Sequence, residues 1–183
     1  MRLFVGIALP EDIRDRLRSL SGGLPGARWV SLENLHLSLR FIGEVPGGDE
    51  RDIFEALKAL DLPAFELTLS GLGSFERRGR VYAVWAGVEK SEPLSHLQAK
   101  VAVALERTGF EPEHRKFKPH ITLARLKGGK VPEVAQYLQF HGSFAVGPFR
   151  VAHFTLFRSY LGNGGSHYEA LVEYPLKSPT PKL

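Results

Sequence analysis

The chain of 183 residues contains no cysteine. That one absence excludes a disulfide scaffold, a thiolate nucleophile, thiolate-ligated zinc and iron–sulfur clusters. Long apolar runs are missing as well. No stretch approaches the roughly 20 residues that span a bilayer, so no membrane association is expected. The opening run from Leu3 to Leu9 is only about seven residues, the lower edge of a signal-peptide core. Pro10 and a charged helical pattern come next, and the run reads as the first core strand of a cytoplasmic protein. A dominant charge is also lacking: 24 Lys plus Arg stand against 20 Asp plus Glu, a net +4. So mild a balance suits an anionic partner such as a nucleic acid or nucleotide, and equally a plain enzyme. What the chain does have is 43% hydrophobic residues, enough for a sizeable core, which excludes disorder and collagen-like architectures.

Periodicity predicts alternating strands and helices. Ile13, Leu17 and Leu20 recur at helical spacing over 11–21, and Gly22, Gly23, Pro25 and Gly26 break that helix. Residues 35–41 alternate strictly, as a strand with two unlike faces does. Asp49 is placed to cap a helix running to Leu60, with Ile53, Leu57 and Leu60 inward. A strand starts at Phe65-Leu67-Leu69, and another spans 81–88, with 73–80 between them. A helix over 92–107 comes after it, capped by Ser91, with Pro93 in its first turn and Gly109 as its stop. A strand over 119–126, a helix near 132–139 and strands near 142–158 and 167–174 complete the pattern.

Strand, helix, His-bearing strand, helix, strand thus occurs twice, at an offset near 80 residues. The expected fold is α+β: one bilobal domain over residues 1–174, a pseudo-two-fold duplication of units near 3–74 and 81–158. Two antiparallel sheets would line a central cleft with helices outside. Residues 175–183, with three prolines and two lysines, read as a loose tail.

The chemistry concentrates in His36-Leu37-Ser38-Leu39 and His120-Ile121-Thr122-Leu123. On a strand, residues i and i+2 share a face, so each imidazole emerges beside a hydroxyl while the apolar residues bury. Two such strands facing each other would surround a phosphate. One histidine can deprotonate a nucleophile, the other can protonate a leaving oxygen, and the hydroxyls can donate to non-bridging oxygens. The bare template is not selective, because His141-Gly142-Ser143 and His153-Phe154-Thr155 satisfy it too. His141 comes after a helical pattern and reads as a loop or strand-start residue. His153 is the serious rival. His36 and His120 are set apart by their equivalent places in the suspected repeat.

Asn34-Leu35-His36-Leu37-Ser38-Leu39-Arg40-Phe41-Ile42-Gly43 and Phe117-Lys118-Pro119-His120-Ile121-Thr122-Leu123-Ala124-Arg125 resemble the two signature motifs of the two-histidine phosphoesterases. Within that superfamily they resemble the bacterial and archaeal 2',5' RNA ligase family, also described as RNA 2',3'-cyclic phosphodiesterases. The resemblance covers nearly the whole chain. It implies the bilobal fold, no metal and no cofactor, and a substrate that is a cyclic nucleotide or an RNA ending in a 2',3'-cyclic phosphate. It implies His36 as proton donor to the departing ribose oxygen and His120 as acceptor from the attacking water, with Ser38 and Thr122 beside them. The implied outcome is a 2'-phosphate, or in the ligase sense the joining of a 2' oxygen to a 5' end. The family usually has Thr where this chain has Ser38; the hydroxyl is kept and a methyl that restricts χ1 is lost.

Arg125 belongs to the second motif, and Arg40 lies on the His36 face by strict alternation, so each is a candidate for phosphate binding. The clusters Arg77-Arg78-Gly79-Arg80 and Arg115-Lys116-Phe117-Lys118 read first as solvated loops and second as a rim for RNA. Phe41, Tyr82 and Trp85 read first as core packing and second as base-stacking surfaces. A monomer is expected. The competing readings are an RNA- or nucleotide-binding module of the same fold without turnover, a metal-dependent phosphoesterase and a Ser-His-Asp hydrolase. Neither motif sets an Asp or Glu beside its histidine, and no Gly-x-Ser-x-Gly elbow occurs.

Overall fold

Five consecutive residues, Leu3 to Ile7, are buried in the first strand. A strand tolerates that only when both its faces are covered. The computed structural model describes residues 1–178 and shows how the covering is done. In chain order the elements are β1 (Arg2–Ala8), α1 (Glu11–Arg18), β2 (Arg28–Trp29), a 3-10 turn (Leu32–Asn34), β3 (His36–Glu44), α2 (Glu50–Lys58), β4 (Phe65–Arg77) and β5 (Arg80–Val88). Then come α3 (Glu92–Arg107), β6 (His120–Gly129), α4 (Val131–Phe140), β7 (Ala145–Val151), β8 (His153–Gly162) and β9 (Gly165–Pro175).

The strands form two antiparallel sheets, one ordered β3-β1-β8-β9 and the other β2-β6-β5-β4-β7. Each histidine strand therefore flanks a central strand, β1 or β5. Helices α2 and α3 pack on the first sheet through β9 and β3, and α1 and α4 on the second through β7, β4 and β5. The fold is α+β with two curled sheets, as expected from the sequence. The suspected units do not coincide with the lobes, however. β4 and α1, from the first unit, build the second sheet's side, while β8 and α3 complete the first. The strand expected over 142–158 is cut at Ala152, where the chain leaves one sheet for the other.

Local chemistry accounts for the boundaries. In α3, Leu94, Leu97, Val101, Ala104 and Leu105 form the buried stripe, and the Leu94 amide donates to Ser91 Oγ at 3.2 Å. Its end is closed by Gly109 at φ +101°, with the Phe110 amide donating to the Leu105 carbonyl. Asp49 makes no side-chain cap, and α2 stops at Lys58, two residues short of Leu60. The segment 73–80 is not a loop between strands: 73–77 continue β4, paired with β5, and the hairpin tip is two residues long. Arg78 and Gly79 have φ of 52° and 72°, the two left-handed residues of a tight two-residue turn that lets β4 run on to Arg77.

Residues 175–177, expected to open a loose tail, are instead held in place: Pro175 ends β9. Leu176 is buried, its amide donates to the Ala152 carbonyl, and Lys177 pairs with Asp61 at 2.7 Å. Residues 179–183 lie outside the described part. No helix among the described residues is long and apolar enough to cross a membrane.

Candidate active site

β3 and β6 approach one another between the two sheets, and His36 and His120 are their first residues. Both imidazoles are anchored in the same way. His36 Nδ1 lies 2.7 Å from the Asn34 carbonyl, and His120 Nδ1 lies 2.7 Å from the Lys118 carbonyl. A carbonyl only accepts, so each Nδ1 carries a proton and each Nε2 is left for chemistry. His36 Nε2 is 2.8 Å from Ser38 Oγ, where the hydroxyl donates to the neutral ring. An aromatic ring stands edge-on to each histidine: Tyr168 to His36 at 5.1 Å and Phe75 to His120 at 4.9 Å. Phe4, fully buried, packs beneath His36 at 4.9 Å.

Burial holds both histidines below the ordinary range near 6.5, because the charged form loses its hydration. The backbone hydrogen bonds oppose the shift. Positive charge on Arg125 adds to it at both rings, and His120 adds to it at His36. Both are therefore neutral at pH 7 without an anion in the site.

One irregularity decides which side chains join them. On β1, Gly6 is opposite Ser38, but Val5 is opposite Arg40, so Leu39 is an extra residue. On β5, Trp85 is opposite Thr122 while Val84 is opposite Ala124, so Leu123 is extra in the corresponding place. Each bulge flips the side-chain phase downstream of the motif. Arg125, an odd five residues after His120, is thereby returned to the His120 face. Arg40 is turned away from the His36 face, and Phe41 takes its place. Contrary to the strict alternation expected of this strand, Arg40 is buried off the His36 face, its guanidinium donates to the carbonyls of Phe41 and Glu111, and it lies 3.8 Å from Glu113.

His36, Ser38, His120, Thr122 and Arg125 line one cavity of about 270 Å³ together with Asn34, Phe41, Phe75, Tyr82, Arg115 and Tyr168. Arg40 does not line it. Phe41 and Tyr82 are not core residues; they are 54% and 37% exposed at the cavity's mouth. Trp85 is not a core residue either: it is half-buried on the Thr122 side of β5, 5.5 Å from Phe75 and 6.0 Å from His120, and lies across Gly73, where an added Cβ would come within 2.3 Å of the indole. The rival histidines stand elsewhere. His141 packs on Tyr137 and Phe140 at the end of α4, and His153 opens β8 with its Nε2 3.9 Å from Glu173. Among the described residues, no three His, Asp or Glu side chains converge as a metal site would require. Tyr168 and Phe75 were not assigned to the site from the sequence, since each comes from a strand that only the sheet topology brings to the histidines; Asn34, inside the first motif, was not singled out although it adjoins His36 in the chain.

The family model described as the 2'-5' RNA ligase superfamily matches residues 9–163. The RNA 2',3'-cyclic phosphodiesterase of Archaeoglobus fulgidus is 34% identical over 176 residues, covering 93% of this chain and 98% of that one. The Escherichia coli protein of the same name is 32% identical over 181 residues, 96% of each chain. Among solved structures, TT0787 of Thermus thermophilus superposes with a TM-score of 0.81 at 27% identity, over 98% of this chain and all of that one. E. coli LigT complexed with 3'-AMP superposes with a TM-score of 0.76 at 28% identity, over 96% and 97%.

Proposed function

The chain belongs to the 2'-5' RNA ligase superfamily, and from that membership we propose that it opens 2',3'-cyclic phosphate ends of RNA to 2'-phosphates without a metal. The observation that carries the reading is the pair of imidazoles, each fixed through Nδ1, sharing one cavity with Arg125. In this reading water attacks phosphorus, His120 Nε2 takes its proton, the P–O3' bond breaks, and His36 Nε2 gives a proton to the 3' oxygen. The assignment of donor and acceptor is that of the family's motif order. His36 must arrive charged, although burial disfavours that. The anionic phosphate supplies the opposing charge, so the substrate charges its own acid. Thr122 and Ser38 donate to the non-bridging oxygens, and Arg125 neutralises them. A 5'-hydroxyl in place of water would give a 2',5' linkage by the same proton transfers.

The test is incubation of a 2',3'-cyclic nucleotide in excess chelator, with identification of the product isomer. The 2'-phosphate is expected. A 3'-phosphate would reverse the orientation, turnover only with an added divalent ion would replace the metal-free mechanism, and binding without turnover would favour the RNA-binding module.

A further inference from the structure

The catalytic cavity opens into a second one of about 510 Å³. The two share Ser38, Phe41, Phe75, Tyr82, Arg115 and His120, so they are one continuous cleft with a throat. The chemistry changes along it. Arg125, Thr122, Asn34 and Tyr168 lie only at the inner end, whereas Lys116, Lys118 and Phe117 lie only beyond the throat. The throat itself is aromatic. Phe41 and Tyr82 stand there exposed, Tyr82 lies 6.0 Å from Phe75 in a stacked arrangement, and the Arg77 guanidinium covers the Tyr82 ring at 5.4 Å.

Large exposed aromatics beside cations are costly to keep in water and are the usual platform for bases along a single strand. The charge beyond the throat is one-sided. Glu113 is the only carboxylate lining it and is engaged by Arg40, while Arg115, Lys116 and Lys118 have no ion-pair partner among the described residues. The equivalent bulges add a direction. They put Arg125 on one strand and Phe41 on the other just past the hydroxyl residues, so the two halves of the cleft match in histidine and hydroxyl and differ beyond them.

We propose that the outer cavity is a subsite for the nucleotide immediately 5' of the reacting cyclic phosphate. The throat stacks bases, and Lys116, with Arg115 and Lys118, takes the phosphodiester that joins that nucleotide to the end. The inference rests on the cyclic phosphodiesterase reading and names the part of the RNA that makes an RNA end a better substrate than a free nucleotide.

The experiment compares kcat/KM for a 2',3'-cyclic mononucleotide and for a dinucleotide ending in the same cyclic nucleotide, across a salt series. The parent is expected to prefer the dinucleotide by about 10-fold or more, the scale of one added stacked base and one phosphate contact. Lys116→Glu should remove most of that preference, leave the mononucleotide within about twofold, and flatten the dinucleotide's log–log salt slope by about 0.7. Tyr82→Ala should raise KM for both substrates with kcat little changed. Equal use of the two substrates by the parent overturns the subsite, as does an equal loss on both in Lys116→Glu. Turnover of neither overturns the hydrolase reading itself and the subsite with it.

Discussion

Replacing Arg125 separates two effects that its position combines. The guanidinium shares the cavity with both imidazoles and lowers both of their pKa values, while its exposure leaves it free to reach a phosphate. Arg125→Ala therefore removes a bidentate donor and also a positive charge. Loss of one preorganised donor to transition-state charge costs about 10²–10³-fold in rate, and the exposed position puts Arg125 near 10². Loss of the charge moves both histidines upward. In the proposed mechanism the rising limb of kcat/KM against pH needs neutral His120 and the falling limb needs protonated His36, so both limbs should shift to higher pH. Arg125→Lys keeps the charge and loses the fork, so it should lose rate while keeping the parent's profile. The assay is initial-rate hydrolysis of a 2',3'-cyclic nucleotide from pH 5 to 8.5 for parent, Ala and Lys variants. An Ala variant that is slow but has an unmoved profile would refute the electrostatic part, and one with parental rate would remove Arg125 from the site.

The same geometry carries other expectations. His36→Ala and His120→Ala should each lower kcat by about 10²–10⁴-fold, whereas His141→Ala and His153→Ala should stay within about twofold. The double variant His36→Ala/His120→Ala should fall by less than the product of the two losses, because the pair acts as one unit. Since both histidines are held below the usual range, the maximum of kcat/KM for the parent should lie on the acid side of pH 6.5. The same shifts predict stability that is fully present above about 6.5 and declines as pH falls through the folded values, because the unfolded chain takes up protons first. Urea unfolding at pH 7.5 and pH 5 should show that decline, and His36→Gln should reduce it. Gly73→Ala should cost about 1–3 kcal/mol in the same unfolding assay, since the indole of Trp85 must move from its place over β4.

Element type and the pairing of motifs were legible because they depend on local spacing. Residues 92–107 show a capped, amphipathic stripe, and the helix occupies those residues. His36 and His120 were found by pattern and by resemblance, and both open strands that line one cavity. The errors have one physical source, which is that alternation holds only while register holds. Nothing in Leu39-Arg40 or Leu123-Ala124 announces an extra residue, because a bulge is fixed by what the neighbouring strand can pair. Arg40 was therefore placed on the wrong face, while Arg125, named from the motif alone, lines the cavity against its own parity. Phe41 and Tyr82 were expected in the core because an aromatic on a strand usually packs, and a sequence does not show where a second sheet stops covering the first. The 175–177 segment was misread for a similar reason: proline predicts a lack of helix, and the segment is held by neighbours more than 20 residues away.

The crossing of strands between sheets has a consequence for how the molecule can be divided. A cut at Arg78-Gly79 falls at an exposed turn and severs no helix, yet neither fragment would own a complete sheet. The first would hold β1 without β8 and β4 without β5; the second would hold the reverse. Each fragment carries one histidine and the missing edge for the other. Such halves are complements, not domains. Separately expressed, they should be poorly folded and aggregation-prone through unpaired strand edges, and mixed, they should restore both lobes in the one event that also brings His36 and His120 into one cavity. Activity in the mixture would then report association directly, with no signal from either part alone.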